Sequence, residues 1–188
     1  MRESIKRQLK FVATIAVSMV VMYLVMYLNT FAGDHARWSE TRLYMTVLMG
    51  SSMAVVMLVS MWGMYESSRF RTGVLVGCAA LFGGALWLVR SQQTVDDSSY
   101  MSAMIPHHSI AILTSERAQI EDVRVRALAD DIISAQRDEI GEMEWLLEDI
   151  ERHGPARTEQ EAARRPVPAS AGGVQPDEAG DPGAVASQ

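Results

Sequence analysis

The sequence predicts an all-α chain in which three transmembrane helices are followed by an antiparallel two-helix domain outside the membrane. Three observations carry that prediction. Residues 1–90 contain three long apolar runs, an acidic segment after them repeats apolar residues at three- and four-residue steps, and five of the six prolines lie beyond residue 153. Whole-chain averages hide this division. The 188 residues are 48% hydrophobic and 21% charged, with net charge −6 and mean hydropathy +0.04, values that suit an ordinary soluble domain. Split along the chain, the charge is +5 over residues 1–90, −9 over 91–153 and −2 over 154–188. A lone cysteine, Cys78, excludes a disulfide-stapled fold. An excess of acids over bases, 23 to 17, argues against a nucleic-acid partner.

The apolar runs place spans at about residues 11–31, 43–64 and 72–90. At 1.5 Å per residue, about 18–22 residues cross a hydrocarbon core of roughly 30 Å. Trp38, Trp62, Tyr65 and Trp87 lie near run ends, where amphipathic rings favour the headgroup level. A cleaved signal peptide fits the first run less well, because it exceeds the usual apolar region and no small-x-small cleavage site follows. Residues 1–10 are read as a cytoplasmic N-terminus. That orientation puts Arg2, Lys6, Arg7, Lys10, Arg69 and Arg71 inside and Arg37, Arg42 and Arg90 outside, the expected direction of bias. Three spans then carry residues 91–153 out of the cytoplasm.

Two helices are expected in that segment. The first begins near Asp96–Asp97–Ser98–Ser99, runs to about residues 118–120 and turns around Glu121 and Asp122. Pro106 removes one backbone hydrogen bond inside it and predicts a kink beside His107 and His108. The second helix repeats Leu128, Ile132, Ile140, Met143, Leu147 and Ile150, and Gly154–Pro155 stops it. Residues 154–188, rich in Pro, Gly, Ala and Ser, are expected to form a disordered tail.

Chemistry concentrates on the first of these helices. Asp97, Met101, Met104 and His108 are spaced four, three and four apart and share one face, with His107 on the neighbouring stripe. Gln136, Glu139 and Met143 recur on the second helix, so antiparallel packing could gather thioether, imidazole and carboxylate. Thioether with imidazole suits Cu(I) or Ag(I), whereas carboxylate with imidazole suits Cu(II), Zn(II) or iron. The same pattern also fits core-filling methionines and a backbone-bonded His pair.

The string Met101-Ser-Ala-Met104-Ile105-Pro106-His107-His108, with Ala111-Ile112 after it, resembles the signature of the domain of unknown function 305 family. So does Leu128-Ala129-x-x-Ile132-Ile133-x-x-Gln136-x-x-Glu139-Ile140-x-x-Met143-x-x-Leu146. The resemblance covers roughly residues 96–150. It implies a ferritin-like helical half-bundle associated with copper or silver outside the cytoplasm, on a bacterial inner or plasma membrane. It marks Asp97, Met101, Met104, His107, His108, Glu139 and Met143 as metal-site candidates. Thr114 departs from the methionine common at that place. One motif copy supplies two helices, so a homodimer would complete a four-helix bundle.

Met45, Met49, Met53, Met57 and Met61 repeat every four residues in the second span. Met-x-x-x-Met resembles a permeation element of trimeric copper transporters. However, a step of four drifts about 40° each time, so the stripe wraps the helix and reads better as packing. Gly73/Gly77 and Ala80/Gly84 suit close helix contact, and Cys78 reads as a buried thiol. His35 reads as a solvated loop residue or, less simply, an entry ligand.

Three functions compete. The first is a membrane-anchored metal-binding protein that captures Cu(I) or Ag(I) for tolerance, buffering or delivery to a transfer partner. The second is a structural or regulatory subunit that docks a partner through its acidic helices without metal. The third, a ferritin-like metal oxidase, lacks the Glu-x-x-His motif: Met104 and Ile105 stand three residues before the histidines. No P-loop, His-Glu-x-x-His or Gly-x-Ser-x-Gly element points to an enzyme.

Overall fold

A computed structural model describes residues 2–169 and 171. Among the described residues all regular structure is helical: α1 (Arg2–Val25), α2 (Glu40–Ser60), α3 (Ser68–Ser91), α4 (Asp97–Arg117), α5 (Val123–His153) and α6 (Glu159–Arg164). A short 3-10 turn, Trp62–Met64, follows α2. The chain is therefore all-α. It divides into two compact units, Met1–Asn29 with Trp38–Ala103, and Thr30–Arg37 with the chain from Met104 onward.

The first unit holds three helices long and apolar enough to cross a membrane, over Glu3–Val25, Glu40–Ser60 and Ser68–Ser91. Serine caps start two of them: Ser39 accepts the Arg42 N–H at 3.2 Å and Ser67 accepts the Phe70 N–H at 3.3 Å. The helices are offset from the apolar runs. α1 begins well before its run and ends at Val25, after which Tyr27 and Leu28 donate to carbonyls three residues back and tighten the last turn. Arg42 then donates to the orphan Met26 carbonyl at 2.8 Å and lies 4.3 Å from the centre of the Tyr27 ring. An end so capped needs no further helix, which is why residues 26–31 turn away.

α2 packs against both α1 and α3. Their shared core is Phe11, Ala54, Leu58, Tyr65 and Cys78, with Met57 and Met61 packed on it. Gly50 lets α1 approach, because a Cβ there would lie 2.5 Å from Met19 Cγ and Sδ. The methionine repeat thus divides between packing and surface: Met57 and Met61 join the core while Met45 and Met49 are exposed. The small residues of α3 behave differently from expectation. A Cβ built on Gly73, Gly77 or Gly84 meets nothing within 4 Å, so these positions form no close helix contact among the described residues.

In the second unit α4 and α5 run antiparallel. Their core is Ile105, Ile112 and Ile140, flanked by Ile133, Met143 and Leu147. Burying each isoleucine is worth about 1.5–3 kcal/mol, so this small cluster dominates the hairpin. Polar ties fix the register: Arg126 donates to the Ser115 carbonyl at 2.9 Å and Arg137 to Glu116 at 2.5 Å. α4 runs continuously across Pro106, and that proline is itself fully buried. Asp122 caps α5 by accepting the Arg124 N–H at 2.8 Å. The paired Arg124 guanidinium, followed by that backbone bond, pulls the Asp122 carboxyl down to about 2. Gly154, at φ 77°, ends the helix.

Composition predicts disorder from residue 154 onward, yet residues 154–169 carry structure. Thr158 caps α6 through the Glu161 N–H at 3.2 Å, and Arg165 reaches back to Asp149 at 2.5 Å and to the Gly154 carbonyl at 3.3 Å. Burial raises the Asp149 pKa, but hydrogen bonds from Arg165 and His153 outweigh it and hold the carboxyl below its usual range. The remainder of the expected disordered tail, residue 170 and residues 172–188, lies outside the described residues.

Candidate functional site

α4 carries most of the predicted ligands, and the structure distributes them unequally. Asp97 opens the helix and is exposed, while Met101 is buried; both belong to the first unit. Asp96, just before them, accepts the Ser99 N–H at 2.7 Å, and that bond lowers its pKa. Met104, His107 and His108 belong to the second unit. His107 is exposed, and its ring lies 6.0 Å from that of His108 at an interplanar angle of 66°. Adjacent helical residues diverge by about 100°, so the two rings face different directions. Met143 packs beside Ile105, Ile112 and Ile140.

His108 is the centre of the polar cluster. Its Nδ1 lies 2.9 Å from the Met104 carbonyl one turn back, and its Nε2 lies 2.7 Å from Glu139 Oε2 on α5. The imidazole is 12% exposed and the Glu139 side chain 52%, so the pair sits at the edge of the hairpin. Gln136 also donates to Glu139 Oε2, at 3.4 Å. Both ring nitrogens therefore face oxygen acceptors. A singly protonated ring with its proton on Nδ1 satisfies the carbonyl and presents an Nε2 lone pair; a doubly protonated ring donates to both oxygens. Of the seven predicted residues, His108 and Glu139 are joined directly. Among the described residues, no group of three or more His, Cys, Asp or Glu side chains is gathered tightly enough to hold a metal ion.

A second feature was not legible from spacing. The loop 30–37, between α1 and α2, folds onto the α4–α5 hairpin. The fully buried Ser109 hydroxyl accepts the Phe31 N–H at 2.7 Å and lies 2.9 Å from His35 Nδ1. Arg37 pairs with Glu144 on α5 at 2.9 Å. His35 is thus a structural partner of Ser109 rather than a solvated loop residue. These contacts join residues 74 to 107 positions apart, and no local periodicity encodes them.

The family model described as Domain of unknown function (DUF305) matches residues 97–181, beginning at the first residue of α4. Among curated proteins, the chain is 32% identical over 108 residues to "Uncharacterized protein L153" of Acanthamoeba polyphaga mimivirus, covering 56% of this chain and 69% of that protein. No solved structure matches. The chain belongs to the DUF305 family, its matching segment being the α4–α5 hairpin and the residues after it.

Proposed function

We propose that this protein is a membrane-anchored, extracytoplasmic metal-binding protein that captures Cu(I) or Ag(I) for tolerance, buffering or delivery. The observation that carries the reading is the setting of His108. Metal-binding imidazoles commonly hold one nitrogen on a backbone carbonyl and offer the other to the ion. In this chain Nδ1 lies on the Met104 carbonyl and Nε2 points across the hairpin. The Met104 thioether is one turn away on the same helix, and a thioether beside an imidazole is a soft donor set. His108 and Met104 would hold the ion, with Glu139 as an outer partner that accepts from the ring or joins the ligands when displaced. Met101, Met143, Asp97 and His107 are further ligands only if the helices adjust. A second copy of the chain would complete a four-helix bundle around these groups.

The loop 30–37 supports the membrane topology. With three spanning helices, the α1–α2 loop and the α4–α5 hairpin would emerge on the same side, and the bonds from Phe31 and His35 to Ser109 agree with that. The basic residues near the first helix favour a cytoplasmic N-terminus, which would put the hairpin outside.

Metal analysis and Cu(I) competition titration of the full chain in detergent test the proposal. Sub-micromolar binding is expected, weakened at least tenfold by Met104→Ala or His108→Ala. Unchanged affinity in both variants would refute the assigned site. A folded protein that takes up no metal would favour the partner-docking alternative.

A further inference from the structure

A group of cations, Lys6, Arg7, Lys10, Arg69 and Arg71, gathers at one end of the first unit in excess of the two acids there, Glu3 and Glu66. Phe11 of α1 sets them together. Its ring stands edge-on to Tyr65 at 5.5 Å and to Phe70 at 5.9 Å, and Tyr65 and Phe70 are 5.3 Å apart. Phe11 and Tyr65 are 3% and 5% exposed, so this register is fixed by packing. Lys10 precedes Phe11 and Arg7 lies one turn, about 5.4 Å, further back. Arg69 and Arg71 flank Phe70 at the start of α3. The aromatic cluster therefore brings the first turns of α1 and the α2–α3 turn to the same end of the unit.

These charges lack ionic partners. Among the described residues, Lys6 pairs with Glu3 at 3.9 Å, both side chains exposed, while Arg7, Lys10, Arg69 and Arg71 form no ion pair. The Arg71 guanidinium lies 4.5 Å from the centre of the Trp62 ring, and its Nε is shielded without a hydrogen-bond partner. The ring supplies a quadrupole but no counter-charge. Arg42, at the opposite end of α2, is instead satisfied by the Met26 carbonyl and the Tyr27 ring. Immediately beside the cations the surface is apolar: Leu9 is 64% exposed and Val12 53%.

We propose that this end of the three-helix unit is a docking surface for anionic phospholipid headgroups. Phosphodiester oxygens would take the charges of Arg7, Lys10, Arg69 and Arg71, while the acyl chains run along the exposed apolar face of α1. Trp62 follows the end of α2, where an amphipathic ring would meet the headgroups. A cationic surface continuous with an apolar one matches a lipid better than free phosphate, which has no use for the apolar part. The inference rests on α1–α3 being membrane-embedded and is independent of metal binding.

Native mass spectrometry of the full chain, extracted in mild detergent and offered phosphatidylglycerol or phosphatidylcholine, reads it out. Preferential retention of phosphatidylglycerol is expected, with about a fivefold loss for each basic residue neutralised. Arg69→Gln with Arg71→Gln should therefore lose about 25-fold, and Arg7→Gln with Lys10→Gln, which leave the Trp62 contact intact, should lose similarly. Arg69→Lys with Arg71→Lys should keep most of the preference, and Arg90→Gln at the far end of α3 all of it. Equal retention of the two lipids, or an unchanged preference in both neutralised pairs, overturns the proposal. Displacement of phosphatidylglycerol by millimolar inorganic phosphate also overturns it, in favour of a free-phosphate site. A chain that stays in solution without detergent overturns the membrane reading beneath it, a separable result.

Discussion

Ser109→Ala isolates the link between the α1–α2 loop and the α4–α5 hairpin. The Ser109 side chain is fully buried and its hydroxyl bonds both the Phe31 N–H, at 2.7 Å, and His35 Nδ1, at 2.9 Å. Alanine fits the space, since it removes one oxygen and adds nothing. The loss is then two hydrogen bonds, each with a net worth of about 0.5–1.5 kcal/mol, or about 1–3 kcal/mol for the loop. Because Phe31 is 39% exposed, its freed N–H can reach water once the loop lifts, which keeps the cost away from the top of that range. The opening equilibrium of residues 30–37 should rise by about 5- to 150-fold. Hydrogen exchange of the full chain, with peptides covering residues 30–37, measures it. Thr114→Ala is the control, since that hydroxyl donates only to the Ile110 and Ala111 carbonyls of its own helix and should leave the loop unchanged. Loop exchange in Ser109→Ala equal to that of the unaltered chain would show that these bonds do not hold the loop, and the topological argument built on them would fall.

Three further outcomes follow from the packing and the caps. Ile112→Ala empties a position that is 1% exposed in the hairpin core and should destabilise α4–α5 by about 2–5 kcal/mol, seen as a lower denaturant midpoint by circular dichroism; a shift below about 1 kcal/mol would contradict the assigned core. Gly50→Val forces the α1–α2 contact apart against Met19 and should cost about 1–3 kcal/mol in thermal stability in detergent, with partial recovery on adding Met19→Ala; additive losses would place the strain elsewhere. Asp122 titrates from its ordinary 3.8 down to about 2 in the folded chain, so its capping contribution is complete above about pH 4 and is lost as pH falls toward 2. Protection relative to the intrinsic exchange rate at the first turn of α5 should fall over that interval, and Asp122→Ala should abolish this pH dependence of protection.

The legibility of this chain varied with the range of the interactions involved. Helix type was readable because apolar run length and three- and four-residue periodicity are local properties. The turn at Glu121 and Asp122 and the stop at Gly154 followed from capping chemistry within a few residues. Boundaries in the membrane half were shifted, since α1 ends where Arg42, sixteen residues away, satisfies the Met26 carbonyl. The order around Thr158–Arg165 was missed for the same reason: Asp149 supplies an ion pair that composition cannot anticipate. At the candidate site, the shared face of Met104 and His108 was legible, as was a carboxylate near it. Which carboxylate met which ring nitrogen was not.

By itself the sequence determined an all-α chain with three helices able to cross a membrane and an amphipathic hairpin after them. Those features depend on hydropathy and on neighbours three or four residues apart. Only the tertiary structure decided that His108 joins Glu139, that Gly73 and Gly77 meet no other helix among the described residues, and that the loop 30–37 bonds to Ser109. Each of these turns on the relative placement of segments distant in sequence. Placement is fixed by how buried side chains such as Ile105, Ile112 and Ile140 interlock, and close packing is a property of the folded assembly that no window along the chain contains.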